Sequence, residues 1–270
     1  MTQSTSGYVD VNGGRLYYEV AGEGHPFVLI HAGIANLRMW DDQWKAFTSR
    51  YRTIRYDTRG FGKTTSEGVT FSNRDDLRAL LDHLGIEKAY IMGVSRGGQI
   101  ATDFTLEYPE RVAALITVAS GPGGFEAEEP PGQAARFEEM ERYEAAGDIE
   151  NVIRMDIEIW FSGFHRTIDQ MPAHLVQRMV DMGRENYSHT EDLKPIPLDP
   201  PAVDRLSEIN VPALVMWGDL DVAFTLASSA YLADNIPGAK RVIMQGTAHM
   251  PNLEKPDEFS LIVLEFLKSL

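Results

Sequence analysis

Short apolar segments alternate with helical patterns along most of the chain. Apolar runs at 27–30, 53–56 and 89–92 are each followed by a segment whose apolar residues have helical spacing. The same alternation returns after 113 and again after 213. Strands separated by helices pair in parallel and need cover on both faces. The pattern therefore predicts an α/β protein, with helices on both faces of a mostly parallel sheet.

Two segments near the N-terminus are predicted to form an antiparallel edge of this sheet. Segments 9–11 and 15–20 flank an Asn-Gly-Gly sequence at 12–14. An Asn-Gly pair between two short strands is typical of a hairpin. Together with the later apolar segments, this hairpin gives about eight strands.

A long interruption separates the two regions of alternation. It begins with a glycine- and proline-rich loop and an acidic stretch, and it then shows three helical patterns. These patterns lie near 133–145, 149–160 and 172–182. We interpret residues 122–201 as an α-helical cap that is inserted into a core domain formed by 1–121 and 202–270.

Composition restricts the classes of protein to which the chain could belong. It has 270 residues, of which 43% are apolar, and this suffices for one large core or a core with an insertion. No apolar run approaches the ~20 residues of a membrane span, and the polar start at 1–6 lacks a signal pattern. The net charge of −15 argues against nucleic-acid binding. Because the sequence contains no cysteine, we expect neither disulfides nor thiolate metal sites, and we expect a cytoplasmic protein.

Ser95 lies at the predicted boundary between a strand and a helix. Gly93 and Gly97 occupy its two second-neighbour positions. Small neighbours allow the strand and the helix to approach at a strained turn, which is how a serine nucleophile is presented in some enzymes. The motif is short, so its weight depends on an acid and a histidine that follow later in the chain.

Five segments of the sequence resemble the α/β-hydrolase family, including its carboxylesterase and 3-oxoadipate enol-lactonase branch. They lie at 29–33, 55–62, 93–97, 217–221 and 246–249. The order of nucleophile, acid and histidine in this family assigns the catalytic roles to Ser95, Asp221 and His249. The resemblance implies that His249 is the general base and that Asp221 orients it. Asp219, two residues earlier, is the alternative acid.

The resemblance also implies an oxyanion hole built from two backbone N–H groups. One belongs to Arg96, which follows the serine at the start of a helix. The other belongs to Gly33 in the loop after the third strand, with Ile34 as the alternative. The Arg96 side chain departs from the small or apolar residues that are common at this position. It either pairs with an acid of the fold or binds a substrate carboxylate.

Aromatic residues of the predicted cap are candidates for the substrate pocket. We expect Ile34, Trp160, Phe161 and Phe164 to line it. Such a pocket would accept a small to medium, mostly apolar group. No metal and no cofactor are implied by the motifs.

These features together predict a serine hydrolase that cleaves a carboxylic ester or a lactone through an acyl-enzyme on Ser95. The alternatives use the same residues for carbon–carbon bond hydrolysis, for cofactor-free perhydrolysis or for lyase chemistry. A further alternative is a hydrolase-like receptor with slow turnover. The expected partner is a small ester or lactone rather than a nucleic acid or a membrane, and the expected assembly is a monomer or a homodimer.

Overall fold

A nine-stranded sheet runs through the computed structural model, which describes residues 4–270. Residues 1–3 lie outside the described residues. They belong to the predicted core domain and to the polar N-terminal segment at 1–6. The strands are β1 Thr5–Val11, β2 Gly14–Ala21, β3 Pro26–Ile30, β4 Arg52–Tyr56, β5 Thr65–Ser66, β6 Thr70–Phe71, β7 Ala89–Val94, β8 Val112–Val118, β9 Lys194–Pro195, β10 Ala213–Gly218 and β11 Lys240–Met244. The α-helices are α1 Asp41–Thr48, α2 Asn73–His83, α3 Arg96–Glu107, α4 Pro131–Ala146, α5 Ile149–Asp156, α6 Ala173–Asn186, α7 Ala223–Asn235, α8 Pro251–Glu254 and α9 Pro256–Lys268.

The strand order confirms the predicted α/β architecture. The order is β1-β2-β4-β3-β7-β8-β10-β11, and the short β5 pairs with β2. The N-terminal hairpin is antiparallel, and β2 also runs antiparallel to β4, whereas every pairing from β4 to β11 is parallel. The short strands β5, β6 and β9 were not predicted, since two residues carry no periodic pattern. The last two of these form a separate parallel pair.

Alternate residues of the central strands face two apolar clusters, one on each side of the sheet. Phe27 and Leu29 of β3 pack into one cluster, whereas Val28 packs into the other. Phe259 of α9 covers the first cluster and Phe104 of α3 the second. Both sheet faces are therefore covered, which explains why the inner strands read as continuous apolar runs.

The parallel strands end at one edge of the sheet, and residues 122–201 pack over the loops at that edge. We call these residues the cap segment. The amide of Asn186 in α6 donates to the Ala35 carbonyl at 3.2 Å and accepts from the Gly62 N–H at 3.1 Å. Arg178 of the same helix forms an ion pair with Asp42. The limits of the cap as a separate domain stay a prediction. No helix within 4–270 is both long and apolar enough to cross a bilayer.

A buried acid in the cap segment makes the stability of the protein depend on pH. The carboxylate of Asp156 accepts a hydrogen bond from the Tyr187 hydroxyl at 2.9 Å, and burial raises the pKa of Asp156 to about 7. The unfolded chain releases this proton near pH 4, so the folded form holds it across the window between about pH 4 and pH 7. The free energy of unfolding should therefore fall as the pH rises through that window.

Asp156→Asn should remove this part of the pH dependence, because the amide stays neutral and its oxygen still accepts from Tyr187. Between pH 5 and pH 8, we expect the wild type to lose about 2–3 kcal/mol more than the variant. Urea unfolding at the two pH values measures the difference. Equal pH slopes for both proteins would contradict the assignment.

Candidate active site

Ser95 lies in a strained turn between β7 and α3. Its φ of 53° and ψ of −121° are unusual for a residue with a side chain. The turn is held by a hydrogen bond from the Ser95 N–H to the Val118 carbonyl at 2.8 Å. A Cβ atom on Gly97 would come within 2.5 Å of the Ile30 carbonyl oxygen, and one on Gly93 would collide with the Gly97 backbone. The two glycines are therefore required by the close approach of strand and helix.

Asp221 and His249 meet at the ends of β10 and β11. His249 Nδ1 lies 3.0 and 2.9 Å from the two carboxylate oxygens of Asp221, and both side chains are buried. A carboxylate only accepts hydrogen bonds, so Nδ1 carries the proton and Nε2 is left as a proton acceptor. Asp219, the alternative acid, instead accepts the Gly246 N–H at 2.5 Å. Of the two carboxylates, the structure thus places that of Asp221 on the histidine.

Ser95 and His249 line one cavity of about 240 Å³, which we call the Ser95 cavity. Among residues 4–270, no hydrogen bond joins the Ser95 hydroxyl to the His249 ring. Hydrogen bonds of this kind are often long without substrate and tighten only in the complex. The structure therefore brings the two side chains to one site, with the acid behind the histidine.

Trp160 of the cap segment also lines this cavity. After α5 the chain continues as a π-helical turn at Ile157–Ser162. Such turns alter which residues face a given side of the helix and are frequent at functional sites. The Trp160 ring lies 4.6 Å from the His249 ring, measured between centroids. The predicted contact of Trp160 with the substrate stays a prediction.

The other predicted pocket residues lie elsewhere. Phe161 is fully buried in an apolar cluster and lines none of the described cavities. Phe164 lines a separate cavity beside Arg166, and Ile34 lines another cavity together with Gly33. The geometry therefore gives no support to Phe161 and Phe164 as neighbours of Ser95.

Two further aromatic residues line the Ser95 cavity. Neither was among the residues predicted to line the substrate pocket. Phe125 belongs to the loop after β8, and Phe224 lies in the first turn of α7. Their rings are in edge-to-face contact, with centroids 5.7 Å apart. Phe224 follows Asp221 by three residues, so an aromatic residue just after the predicted acid was the available signal.

Gly33 lies beside Arg96, the residue that follows Ser95. Gly33 belongs to a turn closed by the Ala35 N–H and the Ala32 carbonyl at 3.1 Å. A Cβ atom on Gly33 would be 3.6 Å from Arg96 Cβ. Neither N–H group donates to a protein acceptor within 4–270, and the same holds for Ile34, which therefore remains the alternative. Donors of an oxyanion hole must be free before the reaction. The assignment of this role to Gly33 and Arg96 stays a prediction.

The Arg96 side chain does not form the expected ion pair with an acid of the fold. Its Nη1 donates to the Thr58 hydroxyl at 2.7 Å and its Nη2 to the Asn73 side-chain oxygen at 3.3 Å. The guanidinium also lies over the Phe61 ring at 4.9 Å. Within residues 4–270 no carboxylate lies within ion-pair distance of it. Burial lowers the pKa of Arg96 to about 10, so the group is still a cation at neutral pH.

No arrangement of three or more His, Asp or Glu side chains in the described part of the chain is suited to hold a metal ion. The polar groups that gather at the edge of the sheet are instead an alcohol, an imidazole, a carboxylate and free N–H groups. That set can transfer a proton, attack a carbonyl carbon and stabilise an anion.

Comparison with known proteins agrees with the fold. Residues 25–256 match the family described as alpha/beta hydrolase fold. The chain is 31% identical to a 2-hydroxy-6-oxononadienedioate/2-hydroxy-6-oxononatrienedioate hydrolase of Paraburkholderia phymatum, over 98% of this chain and 96% of that protein. It is 28% identical to 3-oxoadipate enol-lactonase 1 of Acinetobacter baylyi, over 86% and 84% of the two chains.

Solved structures give the same result. The enol-lactonase of Burkholderia xenovorans superposes with a TM-score of 0.75 at 25% identity, over 97% of this chain and all of that one. The resemblance predicted from the five segments is confirmed by these matches. The chain therefore belongs to the α/β-hydrolase family.

Proposed function

We propose that the protein is a serine hydrolase that cleaves a carboxylic ester or a lactone through an acyl-enzyme on Ser95. One observation carries this proposal: the Asp221 carboxylate holds His249 Nδ1 at 2.9 Å, in a position where the ring shares a cavity with a serine on a strained turn. An unassisted hydroxyl is a poor nucleophile at neutral pH and needs such a base.

The residues of the site account for each proton and each charge in this reaction. His249 Nε2 takes the proton of the Ser95 hydroxyl as the oxygen attacks the carbonyl carbon. Asp221 stabilises the resulting imidazolium, and the N–H groups of Arg96 and Gly33 stabilise the oxyanion. The imidazolium then gives its proton to the leaving alcohol. Water, activated by the same histidine, releases the acid and restores Ser95.

The walls of the Ser95 cavity support a small to medium, mostly apolar substrate group. Phe125, Trp160 and Phe224 supply three aromatic surfaces within about 240 Å³. Residues of the cap segment, among them Phe125 and Trp160, form part of the cavity wall. We propose that this segment acts as the cap of the active site. We also propose a cytoplasmic location, because the sequence contains no cysteine.

Carbon–carbon bond hydrolysis is the second candidate function. It is supported by the name of the Paraburkholderia phymatum relative, which has the higher identity of the two relatives compared above. The same residues would serve it, since His249 can move protons to a carbon leaving group as well as to an oxygen.

Pre-steady-state kinetics separates these possibilities. With p-nitrophenyl butyrate we expect a burst of p-nitrophenol equal to the enzyme concentration, followed by slower turnover. A panel of aliphatic lactones and of vinylogous 1,5-diketones should then be compared by kcat/KM. Turnover of the diketones alone would favour the second candidate. Ligand-induced thermal stabilisation without any turnover would contradict both and would favour a receptor.

A further inference from the structure

A second cavity adjoins the candidate site and shares one lining residue with the Ser95 cavity. It has a volume of about 440 Å³ and lies between the loops after β3 and β4 and the cap segment. Ile34, Phe61, Tyr187 and Leu193 give it apolar walls. We call it the Ile34 cavity. Arg96 is the residue that lines both cavities.

Arg96 brings a charge to this boundary that the protein does not neutralise. A guanidinium has five N–H donors, and only two of them have protein acceptors, the neutral oxygens of Thr58 and Asn73. Arg96 is partly buried, and a partly buried cation without an acidic partner is stabilised when an anion binds to it. The Arg96 Nε has no protein acceptor among the described residues, and it is not fully buried. A donor therefore remains accessible from the cavities.

The other charged or titratable groups near this boundary are either paired or neutral, whereas Arg96 is not paired with an acid. Arg59 lines the same cavity but is paired with both oxygens of Asp76, at 2.7 and 2.9 Å. Burial lowers the pKa of His31, beside Thr58, to about 3, so this ring is neutral. Glu191 also lines the cavity, and its carboxylate lies 3.5 Å from the His189 ring. An anion is thus attracted to the Arg96 side and repelled from the Glu191 side.

We propose that the Arg96 guanidinium binds a carboxylate of the substrate, so that the preferred substrate is an ester or lactone carrying a second, ionised acid group. The inference rests on the proposed function. In the proposed reaction the backbone N–H of Arg96 stabilises the oxyanion, whereas its guanidinium would hold the acid. The two groups are thus one arginine side chain apart, so we expect short dicarboxylic half-esters to be preferred.

Matched substrates test the proposal through a ratio of rates. Monomethyl esters of succinate, glutarate, adipate and pimelate are compared with neutral methyl esters of equal chain length, by methanol release. For the best length in the wild type, we expect the anionic ester to be preferred in kcat/KM. In Arg96→Met the anionic-to-neutral ratio should fall by about 10- to 100-fold, as for the loss of a charge-assisted hydrogen bond.

Two variants make the result specific to the guanidinium. Arg96→Lys keeps the charge but loses the planar fork, so its ratio should lie between those of the wild type and Arg96→Met. Arg142→Met removes the same charge from the exposed surface of α4, and its ratio should equal that of the wild type. Equal losses on anionic and neutral esters in Arg96→Met would overturn the proposal and leave Arg96 as a support for Thr58 and Asn73.

Binding to the inactive protein separates this proposal from the proposed function. Glutarate and adipate should bind Ser95→Ala in calorimetry, with an affinity that falls on Arg96→Met. If the wild type hydrolyses no ester but this binding is found, the proposed function fails and the carboxylate site stands. If neutral and anionic esters are hydrolysed equally and neither dicarboxylate binds, the carboxylate site is wrong and the proposed function stands.

Discussion

Ser95→Ala is expected to lower kcat by about 10⁵- to 10⁶-fold for any ester that the protein hydrolyses. The alanine side chain fits at this position but has no hydroxyl oxygen to attack a carbonyl carbon, so no acyl-enzyme forms. Substrate binding should change little, because the cavity keeps its walls of Phe125, Trp160 and Phe224. Steady-state rates and the size of the p-nitrophenol burst measure the effect.

A matched serine variant guards this prediction against a general loss of structure. Ser269→Ala removes a hydroxyl from the exposed end of α9 and should retain wild-type rates. The melting temperature of Ser95→Ala should remain close to that of the wild type. A Ser95→Ala protein that keeps more than a tenth of the activity while folded would show that another group is the nucleophile.

Asp221→Asn is expected to lower kcat by about 10⁴-fold, as in other enzymes where an acid orients a catalytic histidine. An amide places an NH₂ group beside the ring and favours the wrong tautomer, in which Nε2 carries the proton. His249 would then be unable to accept a proton from Ser95. The measurement is kcat at saturating ester, with far-ultraviolet circular dichroism to verify folding.

Asp219→Asn is the control for this prediction. The asparagine oxygen can still accept the Gly246 N–H that Asp219 accepts at 2.5 Å, so we expect less than a threefold change in kcat. A large loss in Asp219→Asn together with a small one in Asp221→Asn would reverse the assignment of the two carboxylates.

Local patterns were enough to predict the sheet and the turn that carries Ser95. Apolar runs of strand length, separated by helical spacing, leave few arrangements other than a parallel sheet with helices on both faces. The need for small residues at 93 and 97 is equally local, because strand and helix meet within a few residues of Ser95. These features depend on neighbours in sequence and could be inferred without coordinates.

The choice between Asp219 and Asp221 and the position of Trp160 depend on tertiary structure. Both acids follow β10, and which of them faces His249 is decided by how the loops after β10 and β11 pack. Trp160 lines the Ser95 cavity and Phe161 packs into an apolar cluster, and which of the two faces Ser95 depends on how the cap segment packs on the core.

The contacts of the Arg96 side chain could not be predicted from the sequence either. The sequence contains many acidic residues, so an ion pair with an acid of the fold was one of the two predicted roles of this arginine. Its actual partners, Thr58 and Asn73, come from the loop after β4 and the start of α2. Only the packing of these two elements reveals that no acid is placed beside the guanidinium.

Covalent labelling of the nucleophile tests the central claim most directly. Diethyl p-nitrophenyl phosphate should release one equivalent of p-nitrophenol, and peptide mass spectrometry should find a single diethyl phosphoryl group on Ser95. His249→Ala should remain unlabelled over the same time, because its serine lacks the base. Labelling at a different residue, or labelling of Ser95 at an unchanged rate without His249, would contradict the account.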